Sequence, residues 1–569
     1  MRAPNSQYLW AGVIVDELAR SGVRHAVICP GSRSAPLAVA CGSHGGIRCW
    51  PVPDERSAAF LALGIGKASG SPAMVVCTSG TAGAHFLPAV MEAHLSDVPL
   101  VVVTADRPPE LHGFGASQTV DQQHLYGRYT RFFADVGAPV MDAGALRHLR
   151  ATVSRAAHLS RGVAHLNVPL REPLAPTEES LPAGLLDAAT QFTPPHTLTT
   201  RHHVMDAGRV ADIVTGRGRI LLLAAPRDAQ DGLPDALRTL AARWNVPLLA
   251  EAASGVRHGD SAAPVIAHYE AVLRCPAAKT LAPEVILKFG GRVTTRVLQG
   301  LVDSGATVVN FSENGEVVDP GHAASLVLEG DPAAWCRSLV DLPVRVSPEY
   351  LARWRECDLR VSAALDEQTG REETLTEPAV ARIVSSVTPE GSTLFVSSSM
   401  PIRDLDAFSS SRNSSLRVLA NRGAAGIDGI VSSAFGVAAT GARTVLLTGD
   451  TTLLHDLGGL VWGARLGLSL VVVVINNGGG RIFSFLPIGR FPEHFESLFA
   501  MPPGVSMVDV ARVASARHHQ PTTPAELTAC MREALEGGVH VVEIVVDGAQ
   551  TVAQHEHWWA AARAAVEGA

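Results

Sequence analysis

No block of Lys or Arg stands out along the chain, and its 47 Lys+Arg against 55 Asp+Glu leave a net charge of -8. The basic stripe with which a nucleic-acid binder neutralises phosphates is missing, so anionic polymers are poor partners. Paired cysteines are missing too: Cys29, Cys41, Cys49, Cys77, Cys275, Cys336, Cys357 and Cys530 are scattered, with no CxxC. In a chain of 569 residues that pattern reads as reduced core thiols, not as a disulfide framework or a zinc site. No run reaches the roughly 18 uninterrupted apolar residues that span a membrane. Residues 1–7 lead straight into an amphipathic stretch without the apolar core of a signal peptide, so the expectation is a cytoplasmic protein with no membrane partner. None of the 22 histidines shows HxxxH spacing, and His202-His203, His518-His519 and His555-Glu556-His557 have no Cys or third His nearby. GxSxG and Walker loops are absent, which leaves hydrolase and phosphotransferase readings without an anchor.

What is present is ordinary globular composition, with 18% charged and 47% hydrophobic residues, 52 Gly and 36 Pro. A large core is available, and the length suggests roughly three or four domains at 100–200 residues each. Short β-branched runs recur, each followed by a Gly-rich or polar turn and a helix-like stretch, which is the pattern of parallel βα units. A first group holds runs at 25–29, 74–77, 100–104 and 163–168. A second holds 220–224, 246–249, 285–288 and 307–311, and ends in a charged helical stretch at 348–371. A third holds 393–396, 418–420, 444–448, 470–475 and 541–546. A Pro/Thr/Ser-rich segment at 173–200 reads as a linker. Strands apolar along their whole length are buried on both faces. The expected fold class is α/β, with three sandwich domains of mainly parallel sheet at 1–178, 200–346 and 372–569. No short internal repeat is evident.

Ligands of open α/β sheets sit at the carboxyl ends of strands, so chemistry is sought in the turns that follow them. Thr448-Gly449-Asp450-Thr451 closes one run of the third group, and Asn476-Asn477-Gly478-Gly479 closes the next, with Asn477 falling 27 positions after Asp450. A carboxylate, an amide oxygen and a backbone carbonyl, from Asp450, Asn477 and Gly479, are the hard ligands a divalent cation accepts, and a diphosphate would complete the shell. Taken singly, Gly-Asp and Asn-Asn-Gly are common turn residues. Taken together they resemble the thiamine diphosphate motif of the Gly-Asp-Gly to Asn-Asn type, with Thr451 in place of its last glycine.

A thiamine enzyme also needs a carboxylate on the aminopyrimidine, and Glu55 in Pro53-Asp54-Glu55-Arg56 fits that demand. Bonded to N1′, it favours the imino tautomer, whose nitrogen removes the thiazolium C2 proton. Read alone, Glu55 is equally an acid in the first turn of a helix. Cys77, at a strand end beside Thr78-Ser79-Gly80, reads as a buried inert thiol before a nucleophile.

The resemblance becomes specific when the motifs are taken in order. Cys29-Pro30-Gly31-Ser32-Arg33-Ser34-Ala35-Pro36-Leu37, Glu55, Thr78-Ser79-Gly80-Thr81-Ala82, Thr104-Ala105-Asp106-Arg107-Pro108-Pro109-Glu110-Leu111 and Gly115-Ala116-Ser117-Gln118 open the series. Ser398-Ser399-Met400-Pro401-Ile402-Arg403-Asp404, residues 421–429 and residues 476–487 continue it. This order is similar to that of the 2-succinyl-5-enolpyruvyl-6-hydroxy-3-cyclohexene-1-carboxylate synthases of menaquinone biosynthesis. The likeness covers the first and third groups well and the central one weakly.

The resemblance implies a transferase with a thiamine diphosphate-binding fold that uses Mg²⁺ or Mn²⁺. It decarboxylates 2-oxoglutarate and adds the succinyl-semialdehyde carbanion to isochorismate in a 1,4-addition. Guanidinium forks suit carboxylate substrates. By analogy Arg403 and Arg422 hold the part derived from 2-oxoglutarate, while Arg33, Arg107 and Ser32 hold isochorismate, with Gln118 near the reacting atoms. Central Arg296 falls near a basic residue that the family uses on the acceptor. Ser399 and Met400 match residues near the cofactor, Ile427 matches the apolar support of its bent shape, and Gly449, Asp450, Thr451 and Asn477 take the diphosphate end. Ser117 stands where some members carry Asn. A site shared between subunits, hence a homodimer or homotetramer, is also implied. Two alternatives stay open: another thiamine-dependent 2-oxo acid decarboxylase or carboligase, and an inert cofactor-binding regulatory subunit.

Overall fold

The computed structural model describes residues 3–158, 161–190, 205–228, 231–259 and 262–568. Three six-stranded sheets, parallel throughout, carry flanking helices. The first contains β1 (His25–Ile28), β2 (Arg48–Pro51), β3 (Ala73–Cys77), β4 (Leu100–Asp106), β5 (Phe132–Asp135) and β6 (Val163–Pro169), in the order β2-β1-β3-β4-β6-β5. The second contains β7 (Ile220–Ala224), β8 (Leu248–Ala250), β9 (Val265–Ile266), β10 (Val285–Phe289), β11 (Thr307–Ser312) and β12 (Ala324–Glu329), in the order β12-β11-β10-β7-β8-β9. The third contains β13 (Thr393–Val396), β14 (Arg417–Ala420), β15 (Thr444–Gly449), β16 (Leu470–Asn476), β17 (Arg517–His519) and β18 (Val539–Val545), in the order β14-β13-β15-β16-β18-β17.

Renumbered from its own first strand, the first sheet runs 2-1-3-4-6-5, and so does the third. The chain therefore repeats a topology that no short sequence repeat announces. The central sheet runs 6-5-4-1-2-3, the doubly wound order in which dinucleotide folds place their switch point between strands 1 and 4. In the outer two sheets the switch falls between β1 and β3 and between β13 and β15. The turns after these strands are therefore the places where a ligand fits.

Every expected run forms a strand, with ends shifted by at most a few residues. The five strands that sequence patterning misses, β2, β5, β9, β12 and β17, all lie at sheet edges. An edge strand has one neighbour and a partly wet surface, so its residues need not be uniformly apolar; β2, with Trp50 its one buried residue, and β5, with none, illustrate this. The charged stretch folds as the helix Pro348–Arg371, burying Tyr350, Trp354, Cys357, Val361, Leu365 and Gln368 at helical spacing. The expected linker is partly structured. Residues 173–184 lack regular structure, but Tyr8 Oη donates to Leu174 O at 2.9 Å and the short helix Leu185–Thr190 sinks Leu185 and Ala189 into the first core. The rest of that segment, 191–200, lies outside the described residues.

The chain clusters into two compact units, one of 1–200, 423–441 and 456–468, the other of 201–422, 442–455 and 469–569. In the second, one apolar core runs from Leu221 and Leu223 through Trp354 to Val473 and Trp558, so the central and third sheets share it. In the first, the helix Glu55–Ser69 packs against the helix Ile430–Ala439. That crossing is backbone on backbone: a Cβ on Gly64 would stand 2.0 Å from Ser433 O, and one on Gly436 2.1 Å from Leu61 O. Only glycine permits this approach.

Gly436→Ala should therefore force the two helices apart and destabilise the fold by about 1–3 kcal/mol, the usual cost of overpacking. Differential scanning calorimetry would register a lower unfolding temperature; an unchanged temperature would mean that the helices have room to separate.

Candidate active site

Each unit carries one cluster of the residues singled out above, at the carboxyl ends of its strands. In the first unit the turns after β1, β3 and β4 converge. A Cβ on Gly31 would stand 2.3 Å from Thr78 Cβ, which places Ser32 and Arg33 beside the Thr78-Ser79-Gly80 turn. Arg107 donates to Ser79 Oγ through Nη1 and to Gln118 Oε1 through Nη2, the latter at 3.4 Å. Arg33 is buried, giving Nη1 to Leu170 O at 2.9 Å and Nη2 to Glu172 at 3.2 Å, with its buried Nε unbonded. Burial first, and then the neighbouring Arg107 charge, hold Arg33 below its ordinary value. Two guanidiniums within range of each other form a field that suits an anion with more than one carboxylate.

Behind these groups a buried amide supports the turns. Gln122 accepts Gly80 N at 3.1 Å and donates to Ala105 O at 3.2 Å and Asn167 Oδ1 at 3.0 Å. Sequence reasoning gave Gln122 no role, because its partners belong to three different strands and turns.

Glu55 opens its helix just beyond β2, with Asp54 as N-cap accepting Ser57 N at 3.3 Å. Burial, then Cys77, then Glu55 push the Cys29 thiol well up; burial and Glu55 do the same to Cys77. Both thiols are buried, and neither is a nucleophile at neutral pH. Ile427 is half-buried in the loop before the helix Ile430–Ala439, within this same unit.

The second unit holds the metal-type residues. Strands β15 and β16 are neighbours with Gly449 opposite Ile475, so Asp450 and Asn477 emerge at the same end of the sheet. Asp450 is buried, and its Oδ2 accepts Gly479 N at 2.8 Å while Oδ1 accepts Thr451 Oγ1 at 3.1 Å. Burial raises this carboxyl above its ordinary range even though the hydrogen bonds from Gly479 and Thr451 oppose the shift. Asn477 gives its Nδ2 to Glu377 Oε1 at 3.0 Å, which leaves Oδ1 as the end able to bind a cation. Gly479 adopts φ +104°, and a Cβ there would lie 1.9 Å from Ala500 O, so the turn admits no other residue. Its carbonyl accepts Arg481 N at 2.9 Å and retains a second lone pair. The oxygens of Asp450, Asn477 and Gly479 thus fit a hard divalent ion bound to a diphosphate. Thr451 is exposed, and its hydroxyl, which glycine lacks, adds a hydrogen bond to Asp450 Oδ1.

Across the switch point, Ser399 precedes the helix Met400–Phe408 with φ +77° and ψ -135°, a conformation that L-residues rarely adopt. Gln118, in the first cluster, also has positive φ, +52°. Such strain persists where the surroundings over-determine it and concentrates at functional sites. Met400 is buried. Arg403 donates to Ser399 O, and Arg422 reaches Ser398 Oγ at 3.4 Å. Burial is the first cause that lowers Arg403, opposed by Asp404 and Glu270, and exposed Arg296 adds to the lowering. The central-domain arginine is thus brought within electrostatic range of Arg403, a neighbourhood that its position in the sequence left open.

Sequence reasoning missed one group altogether. Glu377, Asp404 and His555 are buried with their ligand-type atoms within 4.8 Å of one another. Burial depresses the His555 imidazole, but the Asp404 and Glu377 carboxylates more than reverse this and lift it to about 9.

Comparison with known proteins gives these clusters a context. Residues 10–125 match the model of the thiamine pyrophosphate enzyme N-terminal TPP binding domain, and residues 408–544 that of the C-terminal TPP binding domain. Proteins named 2-succinyl-5-enolpyruvyl-6-hydroxy-3-cyclohexene-1-carboxylate synthase are similar along nearly the full length. That of Myxococcus xanthus is 47% identical, covering 98% of this chain and 97% of the relative. That of Halobacterium salinarum is 40% identical over 96% and 97%, and that of Geobacillus kaustophilus 38% over 97% and 97%. The thiamine-type residues thus lie within the matched domains or, for Ser399 and Met400, just before the second, and the chain belongs to the family of 2-succinyl-5-enolpyruvyl-6-hydroxy-3-cyclohexene-1-carboxylate synthases.

Proposed function

We propose that the chain is a transferase that decarboxylates 2-oxoglutarate with thiamine diphosphate and adds the resulting four-carbon unit to isochorismate. The products are 2-succinyl-5-enolpyruvyl-6-hydroxy-3-cyclohexene-1-carboxylate and CO₂. The observation that carries this reading is the buried Asp450 carboxylate at the end of β15, with Asn477 and Gly479 at the end of β16. Thiamine diphosphate, when bound, supplies the carbanion chemistry by which a 2-oxo acid loses CO₂ and the remainder adds to an acceptor.

The residues divide the remaining work. Asp450, Asn477 Oδ1 and the Gly479 carbonyl hold Mg²⁺ or Mn²⁺ against the diphosphate, and Gly449 and Thr451 line that end. Ser399, Met400 and Ile427 support the rest of the cofactor. Glu55 holds a proton at the pyrimidine N1′. Arg403 and Arg422 take the carboxylates that come from 2-oxoglutarate. Arg33, Arg107, Ser32 and Arg296 take isochorismate, and Gln118, held by Arg107, faces the reacting atoms. The Arg pairs carry the choice of substrate: acids with several carboxylates gain from them, whereas small apolar 2-oxo acids leave them unpaired and desolvated.

The same reading includes a pyrimidine-binding domain at 1–178, a central domain at 200–346 and a diphosphate-binding domain at 372–569. It also includes a cytoplasmic homodimer or homotetramer in which Glu55 of one chain serves the cofactor held by the Asp450 of another. Full activity from a monomer would contradict that arrangement.

Four variants test the division of roles. Glu55→Gln should bind cofactor as wild type does and lose about 10²–10⁴-fold in kcat, because proton placement is impaired while the metal shell is intact. Asp450→Ala should instead lose Mg²⁺-dependent cofactor affinity; equal cofactor binding by both variants in calorimetry would refute the division. Arg422→Ala should raise KM for 2-oxoglutarate, and Arg33→Ala that for isochorismate, each by about 10–100-fold, the value of a charge-assisted pair. Undiminished steady-state kinetics in either variant would return the reading to a decarboxylase of apolar acids.

A further inference from the structure

Behind Asn477 lies the buried group of Glu377, Asp404 and His555, which the chemistry above leaves without a role. Glu377 stands in the first turn of the helix Glu377–Val387, 1% exposed. One of its oxygens, Oε1, accepts both Asn477 Nδ2 at 3.0 Å and Thr551 Oγ1 at 2.6 Å. One turn beyond Thr551, His555 is bonded through Nδ1 to Thr551 O at 2.7 Å and through Nε2 to Asp404 Oδ1 at 2.9 Å. A carbonyl and a carboxylate only accept, so both ring nitrogens donate and the side chain is an imidazolium. It is the cation that allows two carboxylates to be buried side by side. With both nitrogens committed, His555 has no lone pair for a metal, and the group is an ionic support, not a second metal centre.

The consequence reaches Asn477. An amide at a strand end can turn either its oxygen or its nitrogen outward, and a divalent cation accepts only the oxygen. Facing a carboxylate, the nitrogen must point inward. We propose that Glu377 is a positioning residue for the divalent cation: it locks the Asn477 side chain nitrogen-inward and so presents Oδ1 to the metal. The inference rests on Asn477 being a ligand, as read above. Thr551 and the Asp404–His555 pair hold Glu377 in place, and Asp404 adjoins Arg403, so the same buried group joins the metal-binding turn to the helix that carries a substrate arginine.

The test is a calorimetric titration of Mg²⁺ into full-length protein with thiamine diphosphate present, for Glu377→Ala, Glu377→Gln, Asn477→Ala and the double alanine variant. Glu377→Ala should weaken Mg²⁺ binding by about 10–100-fold, the usual effect of losing a group that orients a metal ligand. Glu377→Gln, whose amide oxygen still accepts from Asn477, should restore most of the affinity. In the Asn477→Ala background Glu377→Ala should add nothing, since the side chain it orients is gone. Wild-type Mg²⁺ affinity in Glu377→Ala, or a full additional loss in the double variant, would overturn the inference while leaving Asn477 a ligand. Wild-type affinity in Asn477→Ala would instead overturn the reading beneath it. Should Glu377→Ala fail to fold, Thr551→Val removes the second donor to Glu377 and keeps the side-chain shape. It should weaken Mg²⁺ binding several-fold, and unchanged affinity there would likewise overturn the inference.

Discussion

A carboxylate taken out of water at the end of β15 is the constraint on which the rest of the structure depends. Asp450 is buried, and the hydrogen bonds it accepts come from Gly479 and Thr451. Burying an ionised group in that way is costly unless a charge arrives to meet it. Two backbone-level features make the arrangement possible. Parallel pairing of β15 with β16 sets Asp450 beside Asn477, and a turn that only glycine can make brings the Gly479 amide onto the carboxylate. A divalent ion carrying a diphosphate is the charge that this geometry suits.

The topology places the other groups around the same logic. The first and third sheets wind in the same order, and each brings its chemistry to the turns at the carboxyl ends of its strands, at and next to its switch point. In the first sheet these turns collect Ser32, Arg33, Ser79, Arg107 and Gln118; in the third, Ser399, Arg403, Arg422 and Asp450. One winding thus sets an arginine-rich cluster at the strand ends of one unit and a cluster of carboxylate, amide and arginine groups at those of the other. The central sheet, wound differently, contributes Arg296 near Arg403 and shares its core with the third.

The sequence made visible whatever depends on local pattern. The interior strands are apolar on both faces and announce themselves, whereas β2, β5, β9, β12 and β17 sit at edges where one flank is wet and no pattern is imposed. Asp450 and Asn477 were legible because they end consecutive strands of the chain that are also neighbours in the sheet. The helix at 348–371 was legible from its charge and periodicity. Glu377 was not: its partners Asn477 and Thr551 lie 100 and 174 positions away, and nothing near Glu377 distinguishes it from an acid in the first turn of a helix. Nor was the supporting role of Gln122, whose bonds close only when β3, β4 and β6 have assembled. The linker expectation fell short for a related reason: Leu185 and Ala189 are too few to mark a helix by periodicity, yet the first core has room for them.

The most direct test of the account follows both substrates at once in a reaction of purified protein, thiamine diphosphate and Mg²⁺. The account predicts that isochorismate disappears only when 2-oxoglutarate and cofactor are present, with one CO₂ released for each acceptor consumed. Release of CO₂ from 2-oxoglutarate with isochorismate left untouched would contradict it and assign the thiamine chemistry to a different acceptor.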